Sequence, residues 1–130
     1  MRRSRIIAIS AMTLIASARA ASADGDAAAG AVTFKVCRVC HQIGPGAKNF
    51  VGPELNGAVG RSAGSVPGYN YSDANNSGIT WDEITLTRFL KSPRDVIPGT
   101  KMAFPGFASA SDIANVIAYL KQFSPDGKTM

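Results

Sequence analysis

The chain is poor in the residues that build most metal and redox sites. Its 130 residues include two cysteines, one histidine and one tryptophan. Both cysteines and the histidine fall in one short stretch, Cys37-Arg38-Val39-Cys40-His41. A closed structural zinc site needs about four ligands, and Cys37, Cys40 and His41 leave that set incomplete. A thioredoxin-like Cys-x-x-Cys belongs in a βαβ context, and no segment alternates convincingly enough to be a strand. Long hydrophobic runs are scarce too. The apolar run Ile6 to Ala16 is too short to span a bilayer comfortably, and no later segment approaches spanning length.

That run accounts for most of the charge imbalance. The chain has 14 basic and 9 acidic residues, a formal +5. A basic start, the apolar run and two small-residue sites, Ala18-Arg-Ala20 and Ala21-Ser-Ala23, predict a secretory signal peptide over residues 1–23, cleaved after Ala20 or Ala23. Removing Arg2, Arg3, Arg5 and Arg19 with it leaves 10 basic against 9 acidic residues over 24–130, a formal +1. No basic cluster interleaved with aromatics remains, which excludes a nucleic-acid partner. The expected product is an exported, periplasmic, single-domain protein.

Three main helices are predicted. One starts near Asp26 and runs through Cys40, with Gly30 and Phe34 on one face. The next starts at Thr80, with Glu83 completing a capping box, and stops near Ser92 because Pro93 disfavours helix before it. Leu86, Phe89 and Leu90 form its inner face. The last is capped by Ser109 or Ser111; Ile113, Val116, Ile117 and Leu120 repeat at helical spacing, and Pro125 ends the ordered part. A short helical turn is expected at 72–76. Between Gly44 and Gly68, rich in Gly and Pro, no period survives. So long a loop is usually functional, and a large buried prosthetic group would order it. The fold class is all-α, with long loops.

Cys-x-x-Cys-His is the spacing of c-type haem attachment. Residues three and four apart share a helix face, so Cys37, Cys40 and His41 can meet one planar ligand. Two thiols would add to the two porphyrin vinyl groups, and the imidazole would reach the iron. A structural disulfide in an oxidising compartment, or a chance match to a short motif, remains open on the motif alone. The second axial ligand would be Met102. It sits between Pro98 and Pro105, which stiffen its loop. Met130 is the C-terminal residue, and lysines would first have to lose a proton.

The whole of residues 24–130 resembles the class I cytochromes c, particularly soluble bacterial members close to mitochondrial cytochrome c. The motifs carrying the likeness stand in order: GAVTFKVCRVCH, GPELNGAVGR, GYNYSDANNSGITWDE, IPGTKMAFPGF and IANVIAYLK. The resemblance implies a single cytochrome c domain of three main helices, short helices and long loops around one covalent haem c. It implies thioethers at Cys37 and Cys40, axial ligation by His41 and Met102, and a Pro53 carbonyl bonded to the far nitrogen of His41. Arg61, Tyr71, Asn75, Trp81 and Thr100 match positions around the propionates and an internal water. Gly30 and Phe34 would pack on Val116 and Tyr119 where the first and last helices cross. One departure stands out: Phe89 replaces a tyrosine usual in the family.

The function implied is electron transfer rather than catalysis, because no axial position is open to a substrate. The protein would be a monomeric carrier in a respiratory or photosynthetic chain. The donor would be a quinol–cytochrome c oxidoreductase complex, and the acceptor a terminal oxidase or photosynthetic reaction centre. Lys35, Arg38, Lys48, Arg94 and Lys101, with Arg88 and Lys91, would form a basic docking face near the haem edge. Asp24, Asp26, Asp112 and Asp126 gather near the termini.

Overall fold

A computed structural model describes residues 24–75 and 77–130. The expected signal segment and Asn76 lie outside the described residues. Helix α1 spans Ala27–Thr33, and the Asp26 carboxylate caps it by accepting from the amides of Ala28 and Ala29. The helix does not stay α-helical to Cys40 as expected. It tightens into a 3-10 helix over Phe34–Val39, a common ending for an α-helix. The amides of Cys40 and His41 then share the Cys37 carbonyl, at 3.1 and 2.9 Å.

Helix α2 spans Glu83–Lys91, and here the expected cap is wrong. Asp82, not Thr80, caps it, with the Asp82 carboxylate accepting from Thr85 N at 2.7 Å. A carboxylate makes the stronger, charge-assisted bond and suits the positive end of the helix. That bond also holds the Asp82 carboxyl below its ordinary pKa. Thr80 instead forms an isolated antiparallel bridge with Ser62. Pro93 ends α2 as expected, but it also begins α3, Pro93–Val96, where its fixed φ and missing N–H suit the first helical position. Helix α4 spans Ala110–Leu120 and is capped by Ser109, which accepts from Asp112 N. The expected turn near 72–76 is a 3-10 turn at Asp73–Asn75. No strand occurs among the described residues, and none of their helices is long and apolar enough to cross a membrane.

α1 and α4 cross at Gly30. A Cβ there would lie 1.9 Å from the Asn115 carbonyl oxygen and 2.9 Å from Tyr119 Cβ, so only glycine permits this approach. Phe34 is wholly buried, its ring 5.1 Å from that of Tyr119. The core continues through Leu86, Phe89 and Leu90 of α2 to Ile113, Val116, Ile117 and Leu120 of α4. Cys37, Trp81 and Met102 pack partly buried against it.

Pro125 does not end the ordered chain. Gly127 N donates to Ser124 O at 2.8 Å, Ser124 N donates to Lys128 O at 3.0 Å, and Phe123 bridges back to Thr129. The Asp126 carboxylate accepts from Lys128 N, and Gly127 takes the positive φ of 81° that the turn requires. The resulting tail lies on the loop that follows His41: Gly57 N donates to Phe123 O at 3.1 Å.

Candidate haem site

Cys37 and Cys40 are free thiols, each partly exposed. The Cys37 thiol is pushed up to about 11, chiefly by burial and then by Cys40 beside it. An attacking thiol in disulfide exchange is activated by a lowered pKa, so Cys37 is not activated for that role.

His41 is fixed from two sides. Its Nδ1 bonds the Pro53 carbonyl at 2.7 Å, which makes Nδ1 the protonated nitrogen and leaves Nε2 its lone pair. Gly52 lies against the ring: a Cβ there would fall 2.3 Å from Cε1 and 2.8 Å from Nε2. Burial lowers the imidazole pKa; the Pro53 bond works against this, and the nearby Arg61 charge adds to it. A neutral imidazole is the form that binds a metal. The loop carrying Pro53 is tied back at both ends, by Gly52 N to Cys40 O at 2.8 Å and Leu55 N to Gln42 O at 2.9 Å.

The other expected residues fall into smaller groups. Thr100 Oγ1 accepts from Met102 N at 3.3 Å, orienting the methionine backbone. Arg61 and Trp81 are joined by Trp81 N donating to Arg61 O at 2.8 Å. The Trp81 ring packs on Phe89, centroids 4.7 Å apart. The Arg61 guanidinium donates to Asn56 O and Glu54 O at 2.9 and 3.1 Å and lies 3.5 Å from the Glu54 carboxylate. Arg61 is thus committed largely to its own loop. The Tyr71 hydroxyl accepts from Val66 N at 3.1 Å, leaving its proton to donate elsewhere, and burial raises its pKa. Asn75 is placed on Ser72 by its backbone, at 3.0 Å.

Sequence reasoning missed Ser72 and Asn56. Among the described residues, the Ser72 hydroxyl is the buried side-chain atom without a protein hydrogen-bond partner. Native structures rarely leave such a group unpaired, and an anionic group beside Tyr71 would satisfy it. Asn56, buried at 6 %, spends its side-chain amide on Gly44, accepting from N at 2.8 Å and donating to O at 3.0 Å. A serine and an asparagine in a loop carry no signal of such roles. Two free thiols, an imidazole with its lone pair free, an orphaned buried hydroxyl at Ser72 and a tyrosine hydroxyl whose proton is available together fit a haem with carboxylate substituents.

The cytochrome c family model matches residues 27–124. Cytochrome c-554 of Methylosinus trichosporium is 53 % identical over 127 residues, 92 % of this chain and 96 % of its own. Cytochrome c2 of Blastochloris viridis is 51 % identical over 115 residues, 88 % of this chain and 91 % of its own. Among solved structures, cytochrome cH from Methylobacterium extorquens superposes with a TM-score of 0.70 at 45 % identity, covering 75 % of this chain and 98 % of that one. The chain belongs to the cytochrome c family, proteins that carry covalently attached haem c and transfer electrons.

Proposed function

We propose that this protein is a periplasmic one-electron carrier with one haem c tethered through Cys37 and Cys40 and ligated by His41 and Met102. The observation that carries the reading is the 2.7 Å bond from His41 Nδ1 to Pro53 O, which frees Nε2 on the residue that directly follows Cys40. The bound group supplies a ferrous–ferric couple. The chain's residues set its conditions. Cys37 and Cys40 tether it so that it does not dissociate. His41, held by Pro53 and Gly52, offers one orientation in both oxidation states. Met102 offers a thioether, which favours the reduced state relative to a second imidazole. Ser72, Tyr71, Arg61, Trp81, Asn75 and Thr100 would face the group's carboxylates, which need donors where they are buried.

If His41 and Met102 both hold the group, no position would remain for a substrate, which favours a carrier over an enzyme. Its donor is a quinol–cytochrome c oxidoreductase and its acceptor a terminal oxidase or photosynthetic reaction centre. It docks as a monomer through Lys35, Arg38, Lys48, Arg94 and Lys101. Lys48→Glu with Lys101→Glu slows transfer most at low ionic strength, because such steering is screened by salt. The visible spectrum of periplasmically expressed protein tests the site. A low-spin c-type spectrum with the methionine–iron band is expected. A high-spin spectrum that responds to carbon monoxide, or no haem absorption, would overturn the ligand assignment.

A further inference from the structure

The chain contains one Asn-Gly pair, Asn56-Gly57. Asparagine before glycine is the pair most open to deamidation, because glycine has no Cβ to shield its backbone nitrogen from the neighbouring side-chain amide. The fold nevertheless requires both residues. Gly57 has a positive φ of 60°, and a Cβ there would lie 2.9 Å from Pro125 Cγ and 3.1 Å from Pro125 Cα. Asn56 is buried and bonded through both ends of its amide: Gly44 N donates to Oδ1 at 2.8 Å, and Nδ2 donates to Gly44 O at 3.0 Å. A reactive pair is thus built into the loop that follows His41.

The same contacts keep the pair inert. Ring closure needs the Gly57 nitrogen, without its proton, to reach Asn56 Cγ. Gly57 N instead donates to Phe123 O at 3.1 Å. The Asn56 amide cannot turn toward it while both bonds to Gly44 are made. Gly127 completes the closure: a Cβ there would fall 2.3 Å from Gly44 O and 2.7 Å from Asn56 Nδ2. Phe123, Pro125 and Gly127 all belong to the C-terminal segment, whose last three residues are exposed. A chain end of this kind opens locally at far lower free energy than the core.

We propose that Asn56 is a deamidation site that the C-terminal tail keeps closed, and that its conversion releases the tail. When the tail lifts, the Gly57 nitrogen loses its proton to solvent base and attacks Asn56 Cγ. The N–Cγ bond forms, the Cγ–Nδ2 bond breaks, and ammonia leaves a cyclic imide behind. Water then opens the imide. Cleavage at Cγ gives aspartate, and cleavage at the backbone carbonyl gives isoaspartate; no electron is gained or lost. Aspartate still accepts from Gly44 N, but it sets a second oxygen against Gly44 O where Nδ2 had donated. Isoaspartate also lengthens the backbone by one carbon. Either product removes the bond on which Gly127 packs, and two acceptors left facing each other out of water are costly. The release therefore runs one way.

The test ages periplasmically expressed holoprotein at near-neutral pH and follows the tryptic peptide 49–61 by mass spectrometry, with Asn49 in the same peptide as internal reference. Gly127→Ala forces a methyl onto Gly44 O and opens the tail. It is expected to speed conversion of Asn56 about tenfold, the effect of removing about 1.4 kcal/mol from closure, while Asn49 keeps its wild-type rate. If Gly127→Ala yields no folded holoprotein, the chain ended at Ser124 is aged in its place. Leu86→Ala lowers the melting temperature from within α2 and leaves the Asn56 rate alone. Asn56→Asp speeds hydrogen exchange at Gly127 N. Equal conversion of Asn56 in the wild type and the tail variant overturns the proposal. So does equal acceleration by Leu86→Ala, which would place the opening in global unfolding, or wild-type exchange at Gly127 N in Asn56→Asp.

Discussion

The two residues proposed as axial ligands sit in differently built surroundings. His41 is enclosed by backbone: the Pro53 carbonyl holds its Nδ1, Gly52 lies against its ring, and Cys40 O and Gln42 O fasten the loop around it. Met102 lies in a stretch without helix between α3 and α4. Thr100 Oγ1 meets its amide at the long distance of 3.3 Å, and Phe107 N donates to Leu90 O at 2.8 Å to anchor the far end. Lys101 reaches across to the Asn70 carbonyl and stacks over the Tyr69 ring. One side is rigid because its polar backbone is satisfied at close range. The other is held by two prolines, a few anchors and a cationic side chain. Opening of the site should therefore begin at Met102.

The largest effect comes from breaking the rigid side. Gly52→Ala drives a methyl into the His41 ring, and overpacking of this kind costs about 3 kcal/mol. A ring pinned by Pro53 has nowhere to move. The expected outcome is poor yield of holoprotein, or a spectrum that is no longer low-spin. A variant with the wild-type spectrum and melting temperature would falsify the claim that Gly52 sets the ring position. Met102→Ala breaks the other side and is milder. The residue is only partly buried, so the loss lies near the lower end for large-to-small changes, about 2 kcal/mol. The fold should survive, the methionine–iron band should vanish and the potential should fall. If the band persists after Met102→Ala, another residue is the ligand.

The same contrast explains what the sequence discloses. The His41 side is written in a compact motif, and Pro53 follows from family resemblance. Helical spacing puts Gly30 and Phe34 on one face, and their crossing on Val116 and Tyr119 follows from family resemblance. The cap of α2 is not, since Thr80 and Asp82 both fit a cap pattern and their competition is settled by where the chain enters the helix: Thr80 pairs with Ser62. The tail past Pro125 was unreadable for a similar reason. Its order depends on contacts with Gly44 and Asn56, far away in sequence. Ser72 becomes conspicuous only when its hydroxyl is buried.

Asn56 tests how far the rigidity of the His41 side extends. Its amide satisfies both polar groups of Gly44, and Gly127 of the tail packs so closely that a Cβ would lie 2.3 Å from Gly44 O. Asn56→Ala strands the buried Gly44 N–H, while Gly44 O keeps its bond from Ala47 N at 3.1 Å, at a cost of about 1–3 kcal/mol. The melting temperature should drop while the methionine–iron band is kept. Loss of that band before the fold melts would show that the strain reaches Met102 instead. Lys101→Ala is the counterpart on the flexible side. An exposed cation–π contact is worth about 0.5–1 kcal/mol, so global stability changes little. The methionine–iron band should nonetheless disappear at a lower temperature than in the wild type. Identical thermal profiles for the band would remove Lys101 from the account of that loop.

Phe89 gives the smallest and most local comparison. It is buried on α2, packed on Trp81, and carries no hydroxyl. A tyrosine there would bring a polar group that must find a partner, and the methionine sulfur is the proposed one. Without it the Met102 sulfur would be free of that bond, which predicts firmer ligation by Met102 and a modestly different potential. Phe89→Tyr should therefore shift the reduction potential slightly and bring methionine loss to a lower pH in an alkaline titration. The two readouts separate the causes. A potential shift alone means that the hydroxyl acts on the redox centre by its dipole. A shift in methionine loss alone means that it acts on the bond. No movement in either would mean that the Phe89 ring serves only to pack against Trp81.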